Sequence, residues 1–229
     1  MAKELFLIAD IGGYTRFMRG QALAHAQVVV ANLLEAILSA AAPFRVEKLE
    51  GDAVFLHLPE SADAPLLTAV GAMRAGFIKK QQAMLAARTC DCDSCSQMHK
   101  LDLKFVAHAG EAARQQIGTF SELAGVDVIV VHRLLKNNVP VPEYLLGTAA
   151  VLSLMGTTPP PERLDHDLEG IGPTLTYYAD LSGKSPRPVP PKASPLKKIA
   201  ARLMLEARAF LFSTGLKERI HIKSGMTSR

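Results

Sequence analysis

No stretch of this chain stays apolar for the roughly 18 to 20 residues that a bilayer-spanning helix needs. The nearest candidate, Ala22 to Phe44, is broken by His25, Gln27, Asn32, Glu35 and Ser39 and reads as a helix buried along most of its surface. Cysteine is scarce: the three residues all fall within six positions, which excludes a disulfide framework and favours a reducing compartment or a bound metal. No nucleic-acid-binding motif is recognisable and few aromatic residues interleave the basic ones, so nucleic-acid binding has little support. Met1-Ala2-Lys3-Glu4 runs straight into a strand-like segment without the pattern of a signal peptide. The expectation is a cytoplasmic protein with no nucleic-acid partner.

What the chain does contain is unevenly distributed. Its 229 residues suffice for one main domain with an appendage. The formal charge of +4 hides an asymmetry, because eleven Lys or Arg against two Glu follow residue 181, and 15 basic against 20 acidic residues precede it. Gly183 to Pro195 is rich in Pro, Lys and Ser and has little to bury. These shifts divide the chain into a domain over 1–181, a linker over 182–195, and a basic tail over 196–229. In the tail, Ile199, Leu203, Ala207, Phe210 and Leu211 fall on one helix face, with Lys198, Arg202 and Glu206 on another. Such a helix can fold back on its own domain or a dimer mate. The other occupants are an anionic membrane surface, which would make the protein peripheral at the membrane, or a protein partner.

Within 1–181 the periodicity orders the elements. Leu5 to Ile11 suits a central strand and Gln21 to Ala42 a long helix. Phe44 to Glu50 and Ala53 to Leu58 form a hairpin around Gly51-Asp52. Ala64 to Arg88 has helical spacing, Leu101 to Ala109 alternates like a strand, and Gln116 to Leu123 can pair beside it. Val126 to Asn137 fits either a β-branched strand or a buried helix. Glu143 to Met155 and Thr174 to Asp180 supply further strand material. The result is an α+β fold: a ferredoxin-like βαββαβ core with extra strands, helices on one face of a mainly antiparallel sheet, and a C-terminal helix.

Two segments stand out chemically. LFLIADIGGYT and VEKLEGDAVFLHLP each deliver an aspartate, Asp10 and Asp52, at the end of an apolar run in a Gly-flanked turn. Two carboxylates presented this way can hold a divalent metal against a phosphate chain. The bland alternative is that Asp10 caps a turn and Asp52 fills a hairpin, as aspartate often does.

Taken in order, LFLIADIGGYTRF, KLEGDAVF, LKFVAHAGEA and GVDVIVVHRL resemble the first metal motif, the second metal motif, the following strand and the transition-state segment of class III nucleotidyl cyclases. The resemblance runs from about Leu5 to Asp180 and is closest to the uncharacterised bacterial branch called DUF2652. It implies a homodimer that converts ATP to cyclic AMP with two Mg or Mn ions at the subunit interface. Asp10 and Asp52 match the metal-binding aspartates, and the Ile11 carbonyl matches the backbone metal ligand. The amides of Gly12, Gly13, Tyr14 and Thr15 would cradle phosphates at the start of the long helix.

Lys48 matches the lysine that reads adenine in adenylyl cyclases, and Glu122 matches the adenine-amino acceptor. A surface lysine beside Glu47 and Glu50 is the alternative for Lys48. Arg133 matches the arginine that stabilises charge developing on the phosphate, its alternative being an arginine near a helix end. Where cyclases carry a ribose-orienting asparagine, this chain has Ile129, which has no donor or acceptor. Losing one such contact costs on the order of 100-fold in rate. A neighbouring polar group such as His132 or Asn137 could substitute for it. A cyclase fold without turnover, binding nucleotide or a protein partner, is therefore the competing expectation.

The remaining motif is CDCDSCSQMH, an insertion over 88–100. Cys90, Cys92, Cys95 and His99 offer thiolate and imidazole ligands for a tetrahedral zinc. A reduced exposed loop and a redox-sensing thiol cluster are the alternatives.

Overall fold

A computed structural model describes residues 2–19, 23–61, 64–87, 97–184 and 203. Strand β1 (Ala2–Gly12) leads into a short helix α1 (Tyr14–Arg19) and then α2 (Leu23–Ser39). A hairpin follows, β2 (Arg45–Glu50) and β3 (Ala53–Pro59), then helix α3 (Leu66–Ala86) and strand β4 (Asp102–Ile117). After these come β5 (Phe120–Ala124), helix α4 (Val126–Arg133), β6 (Tyr144–Thr148) and a 3-10 segment, Ala149–Met155. Short strands β7 (Glu162–Arg163), β8 (His166–Leu168) and β9 (Gly172–Thr174) precede β10 (Thr176–Asp180).

Among the described residues, the main sheet runs β2-β3-β1-β4-β6-β10-β7, with β5 paired to β4 off this path. The first four strands are the expected βαββαβ core, and every pairing in the sheet is antiparallel except β4 with β6. β1 is central because it is apolar on both faces. Leu5, Leu7, Ala9 and Ile11 pack into a core with α2 and α3, while Phe6 and Ile8 face a second core that includes Val128, Val131 and Leu134 of α4. The two long helices thus lie on one face, as expected, and the short α4 covers part of the other. Burying a large apolar side chain contributes about 1.5–3 kcal/mol, so two cores sharing one strand fix its register firmly.

Several boundaries differ from expectation for local reasons. The segment expected as one helix from Gln21 to Ala42 spans Leu23–Ser39, and Gly13 at φ 84° turns the chain first into the separate α1. Gly12, Gly13, Tyr14 and Thr15 therefore open onto α1, not onto the long helix. β4 continues well past Ala109, because its outer half pairs with β5 as a two-stranded ribbon. Residues 126–137, ambiguous in sequence, begin as a helix: Val128, Val131 and Leu134 recur at intervals of three on the buried side. Strand character beyond Glu143 stops at Thr148, where the 3-10 turns tuck Val151 and Met155, four apart, into the first core. The linker from Ser185 on and the basic tail, Leu203 apart, lie outside the described residues. No helix among the described residues is long and apolar enough to cross a membrane.

Candidate functional site

The strand registers place four residues on one transverse row. Glu50 of β2 opposes Ala53 of β3, Ala53 opposes Asp10 of β1, and Asp10 opposes Lys104 of β4. The parallel register that sets Phe105 against Leu145 brings Tyr144 of β6 next to Lys104. By alternation, Asp10 continues the Phe6–Ile8 row and Lys104 the Val106–His108 row. All of these side chains therefore belong to the face covered by α4. The methyl group of Ala53 leaves room between Glu50 and Asp10, and Asp52 enters from the adjoining turn, its carbonyl accepting the Ile11 N–H at 3.3 Å.

The electrostatics of this row are unusual. The Lys104 ammonium lies 2.8 Å from the Asp10 carboxylate. Burial, then the charge of Asp10, push the Asp52 carboxyl up to about 6, and a hydrogen bond with Asp10 adds to the shift. The two carboxyl groups are thus near enough for the charge of one to act on the other. Burial works against the charge on Lys104, but the hydrogen bond and charge of Asp10 outweigh it and hold the ammonium above the ordinary lysine value. Burial also raises the Tyr144 hydroxyl, which donates to Asn137 Oδ1 at 2.9 Å. Lys104 escaped the sequence reading. Its signal, visible only with the register in hand, is a lone cation at an inward position directly across from Asp10.

On α4, Arg133 projects toward the β8–β9 turn and donates to Glu169 at 2.8 Å. Ile129 is half-exposed at 49% and apolar, so no polar side chain of its own faces outward there. Neither neighbouring polar residue is free to replace an asparagine. His132 spans Val128 O at 2.7 Å and Glu50 at 3.1 Å, with its ring against Phe55. Asn137 accepts from Tyr144 and from the Val139 N–H and donates to Leu134 O.

Lys48 pairs with Glu50 at 2.8 Å. Burial opposes ionisation of Glu50, but the hydrogen bond from Lys48 and the charge of His132 hold it below the usual carboxylate value. Each of the three cations near the site, Lys48, Lys104 and Arg133, is therefore held by a carboxylate of the same chain. Glu122 is exposed on β5 opposite Gln115, on the outer part of β4 away from Lys104. A single chain does not bring it to Asp10. Cys90, Cys92 and Cys95 lie outside the described residues, while His99 sits half-buried in a 3-10 turn, Met98–Lys100. Among the described residues no three His, Cys, Asp or Glu converge as a metal cluster, and the carboxylates beside Lys104 are the pair Asp10 and Asp52.

Comparison with known proteins fixes the family. The model of a family described as protein of unknown function (DUF2652) matches residues 30–144. Uncharacterized protein Rv2561/Rv2562 of Mycobacterium tuberculosis is 40% identical over 196 residues, covering 82% of this chain and 91% of that protein. The chain belongs to the DUF2652 family. Solved structures of cyclases share the fold of this DUF2652 protein. The adenylyl cyclase CyaB from P. aeruginosa superposes with a TM-score of 0.57 at 18% identity, over 82% of this chain and 97% of that one. The guanylate cyclase domain of RhGC from Catenaria anguillulae, in complex with GTP, gives 0.56 at 13% identity, over 78% and 96%. At such identities the likeness shows the fold, which is that of class III nucleotidyl cyclase domains.

Proposed function

We propose that this chain is a class III cyclase-like protein that binds a nucleoside triphosphate with divalent metal at Asp10 and Asp52, across a homodimer interface. The observation that carries this reading is the convergence of Asp10 and Asp52, with Lys104 beside them, at the end of β1 on a cyclase fold. The donor chemistry fits Mg or Mn. Two carboxylates and the neighbouring Ile11 carbonyl are hard oxygen ligands, and the Asp52 carboxyl, raised first by burial and then by the charge of Asp10, is one whose ionised form a divalent cation would stabilise. Bound metal supplies activation of a ribose hydroxyl and neutralisation of phosphate charge. The rest falls to the chain. Lys48 would read the base, the turn from Gly12 to Thr15 would hold phosphate oxygens, and Arg133, released from Glu169, would stabilise the charge that builds as a hydroxyl attacks phosphorus.

The position of Glu122 on the exposed β4–β5 ribbon, on a different element from the Asp10 turn, supports assembly from two chains, with Asp10 and Asp52 from one and Lys48, Glu122 and Arg133 from the other. So does the exposure of Leu49, Phe120, Val126 and Ile129 along the sheet edge, the ribbon tip and α4. ATP is the favoured nucleotide because Lys48 stands at the adenine-reading position. The direct test is cyclic AMP and cyclic GMP production by purified protein with ATP or GTP and excess Mn, with Asp10→Ala as control. Product that disappears in the control establishes a cyclase and its base preference.

A second reading rests on a specific observation. Ile129 occupies the ribose-orienting position while His132 and Asn137 are committed within the chain, which favours a module that binds nucleotide without turning it over. In that case Mn and ATP raise the thermal stability of a protein that forms no cyclic product, and Ile129→Asn creates or increases activity.

A further inference from the structure

The ion pair between Lys104 and Asp10 joins two residues directly opposite each other in the β1–β4 register, with Nζ 2.8 Å from Oδ2. Asp52 enters beside Asp10 from the adjoining turn, near enough for the same ammonium to act on its charge. The other nearby cations do not share this task, since Lys48 is held by Glu50 and Arg133 by Glu169. Lysine is suited to a temporary role, because its charge is compact and rides on a flexible four-carbon stem. The stem already runs alongside the Gly12–Gly13 turn: Lys104 Cε lies 3.8 Å from the point where a Cβ on Gly12 would sit, with Asp102 Cβ at 3.4 Å on the same side. Its side chain is also more open to solvent than that of Asp10, at 27% against 15%. Tyr144, the neighbour on the other side, has its hydroxyl engaged by Asn137 and offers no competing anion.

We propose that Lys104 is a built-in counter-ion that competes with divalent metal for Asp10 and Asp52, and that it yields when a polyphosphate at the Gly12–Gly13 turn offers its ammonium another anion. Metal and nucleotide then bind cooperatively through one side chain, because each removes what opposes the other. The inference rests on the metal reading given above and adds an order to it, in which metal enters with the nucleotide and not before it.

The test is Mn binding to the full chain, followed by the electron paramagnetic resonance of free Mn, with and without a non-hydrolysable ATP analogue. Wild type should bind Mn weakly alone and about tenfold or more tightly with the analogue. Lys104→Met should bind Mn alone about tenfold more tightly than wild type, and the analogue should add little. Lys104→Arg, which keeps the charge, should stay near wild type, and Lys104→Gln carries the same expectation as the Met variant should the latter fail to fold. Equal or weaker Mn affinity in both neutral variants overturns the counter-ion role while leaving the metal site standing. Absence of Mn binding in every variant, with the analogue present, overturns the metal reading itself and this inference with it.

Discussion

Asp127 fills the space that a side chain on Gly110 would need: a Cβ there would lie 2.2 Å from the Asp127 Cγ. The carboxylate accepts the Glu111 N–H at 2.6 Å and faces His108 Nε2 at 3.0 Å, and His108 Nδ1 meets Thr148 Oγ1 at 2.7 Å. The first turn of α4 is thereby tied to β4 and β6. Gly110→Ala would drive Asp127 out and leave the largely buried His108 without this partner. We expect a loss of about 2–4 kcal/mol in urea unfolding, whereas Glu111→Ala, which keeps the backbone N–H, should stay within about 0.5 kcal/mol.

The buried pair of Arg74 and Glu143 offers a second stability test. Arg74 of α3 reaches Glu143 through Nε at 3.2 Å, with both side chains less than a tenth exposed. Glu143 immediately precedes Tyr144, so the pair also fixes the start of β6 next to Lys104. Arg74→Met strands a buried carboxylate and should cost about 3–5 kcal/mol. The double variant Arg74→Met with Glu143→Met should recover most of that, measured by thermal or chemical unfolding.

The raised carboxyl of Asp52 gives a pH dependence of definite sign. Its folded value of about 6 lies above the ordinary 3.8, so the folded chain holds an extra proton between those values. Stability from this group is greatest below that window and declines as pH rises through about 6, where the carboxylate forms beside Asp10. Metal needs the ionised form, so Mn affinity should fall by about tenfold per pH unit below the folded pKa and level off above it. The shift in melting temperature induced by Mn together with the ATP analogue should be small near pH 5 and large near pH 7.5. In Asp52→Asn this dependence should vanish together with most of the Mn effect.

Phe120, 78% exposed at the tip of the β4–β5 ribbon, is the most exposed large apolar side chain among the described residues. If the ribbon reaches a second copy of the chain, Phe120→Glu should weaken dimerisation by about a hundredfold or more. Sedimentation should then show a dimer for the wild type and a monomer for the variant at the same concentration. Equal sedimentation of the two proteins would remove the ribbon from the interface.

The core and the aspartate pair were readable because both rest on local pattern. Leu5 to Ile11 is apolar on both faces, and Gly51-Asp52 sits between two β-rich runs. Other features depend on partners that no local pattern reveals. The outer half of β4, Ala113-Arg114-Gln115-Gln116-Ile117, has no apolar alternation because β5 supports it by backbone pairing. β7, β8 and β9 are two or three residues long among prolines and glycines, too short to show a period. Lys104 could not be assigned because its meaning lies in the strand register, which joins residues from opposite ends of the βαββαβ core. The bulge in β2 between Val46 and Lys48 had the same effect, turning Glu47 inward to Arg114 and the Leu123 N–H.

The central position of β1 has a consequence for the order in which the chain acquires its structure. The β2–β3 hairpin closes only one edge of β1, and the other edge waits for β4, which follows the whole of α3. A growing chain that has not reached Asp102 therefore carries an apolar strand with open backbone donors and acceptors, the arrangement most prone to pair with a neighbouring chain. Fragments ending after α3 should aggregate when released from the ribosome, and those extended through Ile117 should not, a difference that pelleting of staged translation products would reveal. Asp10 shares that wait, since its ammonium partner arrives on the same strand that closes the edge.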